Sequence, residues 1–229
     1  MVTLNIHGDG AMYELAVIDV DETLLEGKSQ RLLVWHLARN GLLPWSILTQ
    51  ALWWFAKYRL HLTKDADAMM NKVLNTFAGL PVARMEQLLN EFSAARILPR
   101  LRSEGVAEIG RLKAAGKKVI LVSSSIDLLV QLIAECVAAD GWVATELEKI
   151  DGKLTGRIFG RAVHGEEKYY ALQRYADAKY GSWLLDEAYG DHSSDAPLLG
   201  RAKNPIAVCP DRGLRKIAKL NGWRVVIWA

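Results

Sequence analysis

Short apolar runs alternate along this chain with longer stretches in which apolar residues recur at helical spacing. Ala16-Val17-Ile18 leads into Asp19-Val20-Asp21 and reads as a buried strand ending in an acidic turn. Over residues 30–98 strand signals are few, and breaks fall at Asn40-Gly41, Pro44 and Gly79 to Pro81, so the pattern predicts several helices in succession. Past Gly105 the texture changes: a helix ends at Gly116, residues 117–122 form a compact β run, and 126–139 is an apolar helix. Residues 142–147 predict a third strand, Asp151-Gly152 a turn, and 154–159 the return arm of a small hairpin. A helix over 166–179 follows, then strands at 184–189, 206–209 and 224–228, with a helix over 214–221 between the last two. Helices and strands in this alternation build a doubly wound parallel sheet, a Rossmann-like α/β core.

At 229 residues, 51% of them hydrophobic, the chain is long enough for one large domain or a core with one insertion. The net charge of +3 is mildly basic, and Lys and Arg are interspersed with Asp and Glu, which argues against a nucleic-acid partner. Cys136 and Cys209 have no metal-ligand spacing and are expected as buried free thiols. The first thirteen residues lack the basic and long apolar segments of a signal peptide, so a cytoplasmic location is expected.

Asp19 and Asp21 emerge where open α/β sheets bind ligands. Two carboxylates this close repel unless a cation lies between them or one stays protonated; the plainer reading is a solvated acidic turn. Val119 to Val122 runs into Ser123-Ser124-Ser125, which puts hydroxyls and backbone N–H groups before a helix, as an anion site or an ordinary helix cap would. Lys168 opens a helix after Gly165-Glu166-Glu167 and by itself reads as a surface lysine paired to a neighbouring Glu. Gly190-Asp191-His192-Ser193-Ser194-Asp195 adds two more carboxylates beside a glycine, or an N-cap cluster. Together the four sites offer carboxylates for a hard divalent cation, a hydroxyl and a lysine for phosphate oxygens, and a carboxylate nucleophile, which is what phosphoryl transfer needs.

In this order, these motifs resemble those of the haloacid dehalogenase superfamily. The resemblance implies that Asp19 attacks phosphorus, that Asp21 serves as acid and base, and that Mg²⁺ is held by Asp19, the Asp21 backbone carbonyl and Asp191, with Asp195 as a further ligand or just behind. It assigns the phosphoryl group to Ser123, Ser124 and Lys168, and support of the first loop to Thr23. About a hundred residues separate Asp21 from Ser123 and fewer than fifty separate Ser123 from Lys168. That spacing fits an all-helical cap inserted after the first motif, as in the branch that looks like phosphoserine phosphatase, with a cap over 28–99 and a core of 1–27 and 100–229. Asp151-Gly152-Lys153-Leu154-Thr155-Gly156 and the tail Asn204-Pro205 through Asp211, with Gly222-Trp223, resemble the same branch. His192 stands where Ser or Thr usually follows the metal-binding Asp, and Glu22 where a small residue often lies. A loop histidine bonded to a neighbour is the expected reading of His192, against a role in proton transfer.

Lys28 falls, without a gap, where phosphoserine phosphatases are expected to carry a glutamate that meets the substrate amine, so phosphoserine is expected to be a poor substrate. Arg31, Lys153, Arg157 and Arg161 are candidates for the cleft mouth or for plain solvated surface. Trp35, Trp45, Trp53 and Trp54 read as cap core or a lid over the cleft, with membrane contact as the competing reading. The expectation is a Mg²⁺-dependent phosphomonoester hydrolase for a small phosphorylated metabolite. A lipid-phosphate phosphatase at a membrane surface and a non-catalytic phospho-ligand sensor are its rivals.

Overall fold

In a computed structural model, the structure describes residues 12–41, 49, 53 and 73–229. Six strands form one parallel sheet: β1 (Tyr13–Asp19), β2 (Lys118–Ile126), β3 (Gly141–Thr145), β6 (Trp183–Gly190), β7 (Asn204–Val208) and β8 (Arg224–Val226), in the order β3-β2-β1-β6-β7-β8. Two further strands, β4 (Leu147–Ile150) and β5 (Lys153–Ile158), pair as an antiparallel hairpin. The described helices are α1 (Ser29–Arg39), α2 (Val82–Phe92), α3 (Ser103–Ala114), α4 (Asp127–Cys136), α5 (Glu167–Tyr180), α6 (Ala196–Leu199) and α7 (Arg212–Asn221).

Aliphatic runs make the central strands because both faces of a parallel sheet are covered. Alternate residues serve opposite layers: Leu15, Val17, Ile120 and Val122 pack with Leu172 and Leu198, whereas Ala16, Ile18, Val119 and Leu121 pack with Leu129, Ile133 and Trp228. Each buried Val, Leu or Ile among them contributes about 1.5–3 kcal/mol of hydrophobic stabilisation. The second layer continues into the helical insertion through Leu37, Leu74, Met85, Leu89 and Phe92.

The chain leaves the core and returns to it side by side. Glu26 N–H donates to the Arg100 carbonyl at 2.9 Å and Arg102 N–H to that of Leu24 at 2.9 Å, around a Leu25–Leu101 bridge. The hairpin is also stitched to the insertion: Gly79 N–H reaches the Leu154 carbonyl (2.8 Å), Leu154 N–H that of Leu80 (2.9 Å) and Val82 N–H that of Gly152 (2.9 Å). Gly156 has φ +81°, and a Cβ there would lie 2.9 Å from Asn75 Cα, so this second glycine of the Asp151–Gly156 motif admits a backbone contact no other residue allows.

Several expectations shift. The third strand ends at Thr145 and β4 starts at Leu147 because the buried Asp127 carboxylate takes Leu147 N–H (3.2 Å) and Lys149 Nζ (2.8 Å), pulling the chain off the sheet. Strand β2 runs on through the serines to Ile126, with a break in register after Val122. The thiols are not buried: Cys136 is exposed in the last turn of α4, and Cys209 is half-buried in a left-handed turn after β7, bonded to Trp228. Trp35 and Trp53 are 42% and 64% exposed rather than cap core, while Trp45 and Trp54 lie outside the described residues. Among the described residues, no helix is long and apolar enough to cross a membrane.

Candidate active site

The sheet is wound outward from β1 to β3, then returns to β6 on the other side of β1, so the winding reverses between β1 and β6. Asp19 ends β1, opposite Val122 of β2, and Ile18 lies opposite Tyr189 of β6, one residue before Gly190. Past Asp19 the backbone turns tightly: Leu24 N–H returns to the Asp19 carbonyl (3.3 Å), Leu25 N–H to that of Val20 (2.8 Å), and Glu22 N–H reaches that of Gly27 (3.1 Å). Glu22 adopts φ 61°, a left-handed conformation that costs a residue with a Cβ about 1 kcal/mol. The loop thereby fixes Asp21, whose Oδ1 accepts Ser29 N–H at 2.5 Å, and Thr23, whose hydroxyl donates to Asp191 Oδ1 at 3.2 Å.

Lys168 lies buried in the first turn of α5, and its Nζ donates to Asp19 Oδ1 at 2.7 Å and to Asp195 Oδ1 at 2.6 Å. Its partners are two acids distant in sequence, which overturns the surface-lysine reading; the neighbouring Glu167 pairs instead with Arg174. Gly190 makes room for Asp195, since a Cβ there would lie 2.9 Å from the Asp195 Cβ. The other Asp195 oxygen accepts His192 N–H (3.1 Å), while His192 Nδ1 accepts Ser194 N–H (3.1 Å) and Nε2 sits 3.5 Å from Asp211. His192 thus caps the loop and bonds its neighbours.

Oxygen atoms of Asp19, Asp191 and Asp195 lie within 4.8 Å of one another. Burial pushes the Asp19 carboxyl well above the ordinary range, and the Asp195 and Asp191 charges add to this against the opposing pull of Lys168. Burial, with the Asp195 charge, lifts Asp191 to about 7, and burial raises Asp21 against the Ser29 hydrogen bond. Burial also disfavours the Lys168 ammonium, but Asp19 and Asp195 outweigh it and hold the amine above its ordinary value. One lysine does not balance three carboxylates. An all-oxygen donor set with surplus buried negative charge fits a hard divalent cation such as Mg²⁺. Ser29 N–H engages only Oδ1 of Asp21, and the resemblance gives the ligand role to the Asp21 backbone carbonyl.

Ser123 is buried within β2, just past the register break after Val122, and its hydroxyl accepts Ser125 N–H at 3.1 Å. The half-buried Ser124 offers its carbonyl to Gln30 Nε2 (3.2 Å) and Thr145 Oγ1 (3.1 Å), and Ser29 Oγ donates to Ser125 Oγ (3.0 Å). Lys28, just before α1, is exposed, and its charge acts on Asp21. Arg31, Lys153, Arg157 and Arg161 are all exposed.

Sequence reasoning missed Ser29, Gln30, Thr145 and Asp211, whose N–H donates to the Asp191 carbonyl at 2.8 Å. A hydroxyl residue opening a helix two positions after Gly27, and an Asp opening another after Pro210, were the available signals.

Known proteins resemble this chain over most of its length. Phosphoserine phosphatase SerB1 of Mycobacterium tuberculosis (strain ATCC 25618 / H37Rv) is 28% identical over 218 residues, covering 92% of this chain and 69% of that protein. Histidinol-phosphatase of Neisseria meningitidis serogroup C (strain 8013) is 26% identical over 220 residues, covering 94% and 99%. A solved protein of unknown function from Bordetella pertussis Tohama I matches with a TM-score of 0.86 at 28% identity, covering 94% of this chain and 99% of that one. A phospho-aspartyl intermediate analogue of phosphoserine phosphatase shares the fold, with a TM-score of 0.60 at 22% identity, covering 92% and 99%. The model of the haloacid dehalogenase-like hydrolases matches residues 16–200, a span that takes in every strand end gathered around Asp19, and the chain belongs to that family.

Proposed function

We propose that this protein is a phosphomonoester hydrolase that works through an aspartyl-phosphate on Asp19. The observation that carries the reading is Lys168, buried and shared between Asp19 and Asp195 at the point where the sheet reverses. Asp19 Oδ attacks phosphorus as the ester P–O bond breaks, and Asp21, kept protonatable by burial, gives its proton to the leaving oxygen. Asp21 then takes a proton from the water that attacks the aspartyl-phosphate, which releases inorganic phosphate and restores Asp19. Ser123 and Ser124 bind the phosphoryl oxygens, and Lys168 neutralises charge on them and on Asp19. Asp19, Asp191 and the Asp21 carbonyl would hold Mg²⁺, with Asp195 behind them, and the ion would supply further neutralisation of the phosphoryl charge. The helical cap, proposed to span residues 28–99, closes over the substrate and excludes water.

The substrate class is a small phosphorylated metabolite. Exposed Lys28 puts a cation at the entrance beside Asp21, and a cation does not pair with an ammonium, so phosphoserine is disfavoured. Release of p-nitrophenol from its phosphate ester tests the reaction: turnover falls to background with a chelator and returns with Mg²⁺. Binding of phosphate esters without metal-dependent turnover would establish the sensor instead. In a panel of phosphate esters, kcat/KM for phosphoserine lies at least about tenfold below that of the best substrate.

A further inference from the structure

Several cations among the described residues have an acid beside them, and those of α7 do not. Arg111 pairs with Glu108, Arg174 with Glu167, Lys149 with Asp127 and Lys117 with Asp186. Arg212, Arg215, Lys216 and Lys219 have no acidic partner among the described residues, and neither has Arg224 on the edge strand β8. The interspersed charge pattern of the sequence breaks down here: residues 201–229 carry seven Lys and Arg against a single acid, Asp211, in a chain whose net charge is only +3.

The spacing 212, 215, 216, 219 puts four cations on one face of the helix. The other face is spent on the core, where Leu214 and Ala218 are buried against Ala188, Leu199 and Ala207. Leu220 continues the outward row at 75% exposure, and past the left-handed Gly222 the chain presents Val225 and Ile227, the latter 67% exposed. A cationic stripe interleaved with exposed aliphatic side chains matches the headgroup region of an anionic bilayer, where each Lys or Arg near the surface adds to binding and the apolar groups reach the acyl boundary. The stripe starts at the site: Asp211, the cap of α7, donates its N–H to the Asp191 carbonyl, and Gly213 lets Ser193 pack close, since a Cβ there would lie 2.9 Å from the Ser193 Cβ.

We propose that the outer face of α7, with β8, docks this protein on anionic phospholipid bilayers. The proposal does not depend on the phosphatase reading.

Co-sedimentation with vesicles of equal parts phosphatidylglycerol and phosphatidylcholine tests it, because those lipids are phosphodiesters and binding is read without turnover. The protein is expected to pellet with these vesicles, to stay free with pure phosphatidylcholine, and to be released near 1 M salt, where screening acts within about 3 Å. The triple variant Arg215→Gln, Lys216→Gln, Lys219→Gln changes only outward side chains. It is expected to partition about a hundredfold more weakly, with an unchanged circular dichroism melt and unchanged turnover of p-nitrophenyl phosphate. Equal binding to neutral vesicles, undiminished binding by the triple variant, or binding to duplex DNA tighter than to the anionic vesicles would each overturn the proposal.

Discussion

Strand β6 passes through two clusters of buried charge, and they are built on opposite principles. At its carboxyl end Asp191 and Asp195 join Asp19 around a single Lys168. A few residues earlier, Asp186 and Glu187 both contact Lys117, Glu187 also accepts from Arg111 (3.1 Å), Asn204 Nδ2 donates to Asp186 (3.1 Å), and the Tyr189 hydroxyl donates to Glu108 (2.6 Å). Burial alone would raise Glu187, yet Lys117, Tyr189 and Arg111 outweigh it and hold the carboxyl below its ordinary value; the Arg111 hydrogen bond lowers Glu108 likewise. In the first cluster Asp19 and Asp191 shift up. The sign of the shift separates a network that has satisfied itself from one that still has room for a cation.

The comparison can be broken first at Asp19. Asp19→Asn is expected to lower kcat by about 10⁴-fold or more, while the melting temperature holds or rises, because one of three crowded charges is gone. Lys117→Met should do the reverse. It strands two buried carboxylates, costing about 3 kcal/mol in urea unfolding and on the order of 10 °C in melting temperature, with kcat within about twofold of the parent.

The two clusters also titrate in opposite directions. In the metal-free protein, Asp191 binds its proton near pH 7 when folded and near 3.8 when unfolded, so stability rises as pH falls across that window. Glu108 and Glu187, depressed from 4.5, contribute stability that is present above that value and lost as pH falls through their folded values. Melting temperature against pH in a chelator should therefore pass through a maximum on the acid side, and saturating Mg²⁺ should flatten the limb above it. A monotonic fall from neutral pH would contradict the contrast. The smallest effect is expected at His192: its half-exposed contact with Asp211 is worth at most about 1 kcal/mol, so His192→Ser keeps kcat/KM within about fivefold.

The upper cluster was legible because each member sits in a local signature: an apolar run for Asp19, a serine triplet for Ser123, a helix start for Lys168, and a glycine-acid loop for Asp191 and Asp195. Order along the chain and the sheet topology then bring the strand ends together. The lower cluster left no such trace. Asp186-Glu187 inside an otherwise apolar strand and Lys117 at a strand entry look like ordinary edges of elements, and only the register between β1 and β6, which skips Asp186, turns both acids toward one lysine. The stitching of the β4–β5 hairpin to residues 79–82 was hidden for the same reason, since backbone hydrogen bonds between distant segments depend on no particular side chain. The cationic stripe of α7 was readable, but whole-chain averaging diluted seven cations in the tail with the acids elsewhere.

The paired crossing of residues 24–26 and 100–102 has a consequence beyond this molecule. Because the outgoing and incoming strands are zipped together, hosting the intervening segment closes almost no loop in the scaffold, and its length is nearly free of entropic penalty. Such a junction lets the intervening segment be substituted, shortened or replaced as a cassette while the scaffold that carries it stays untouched.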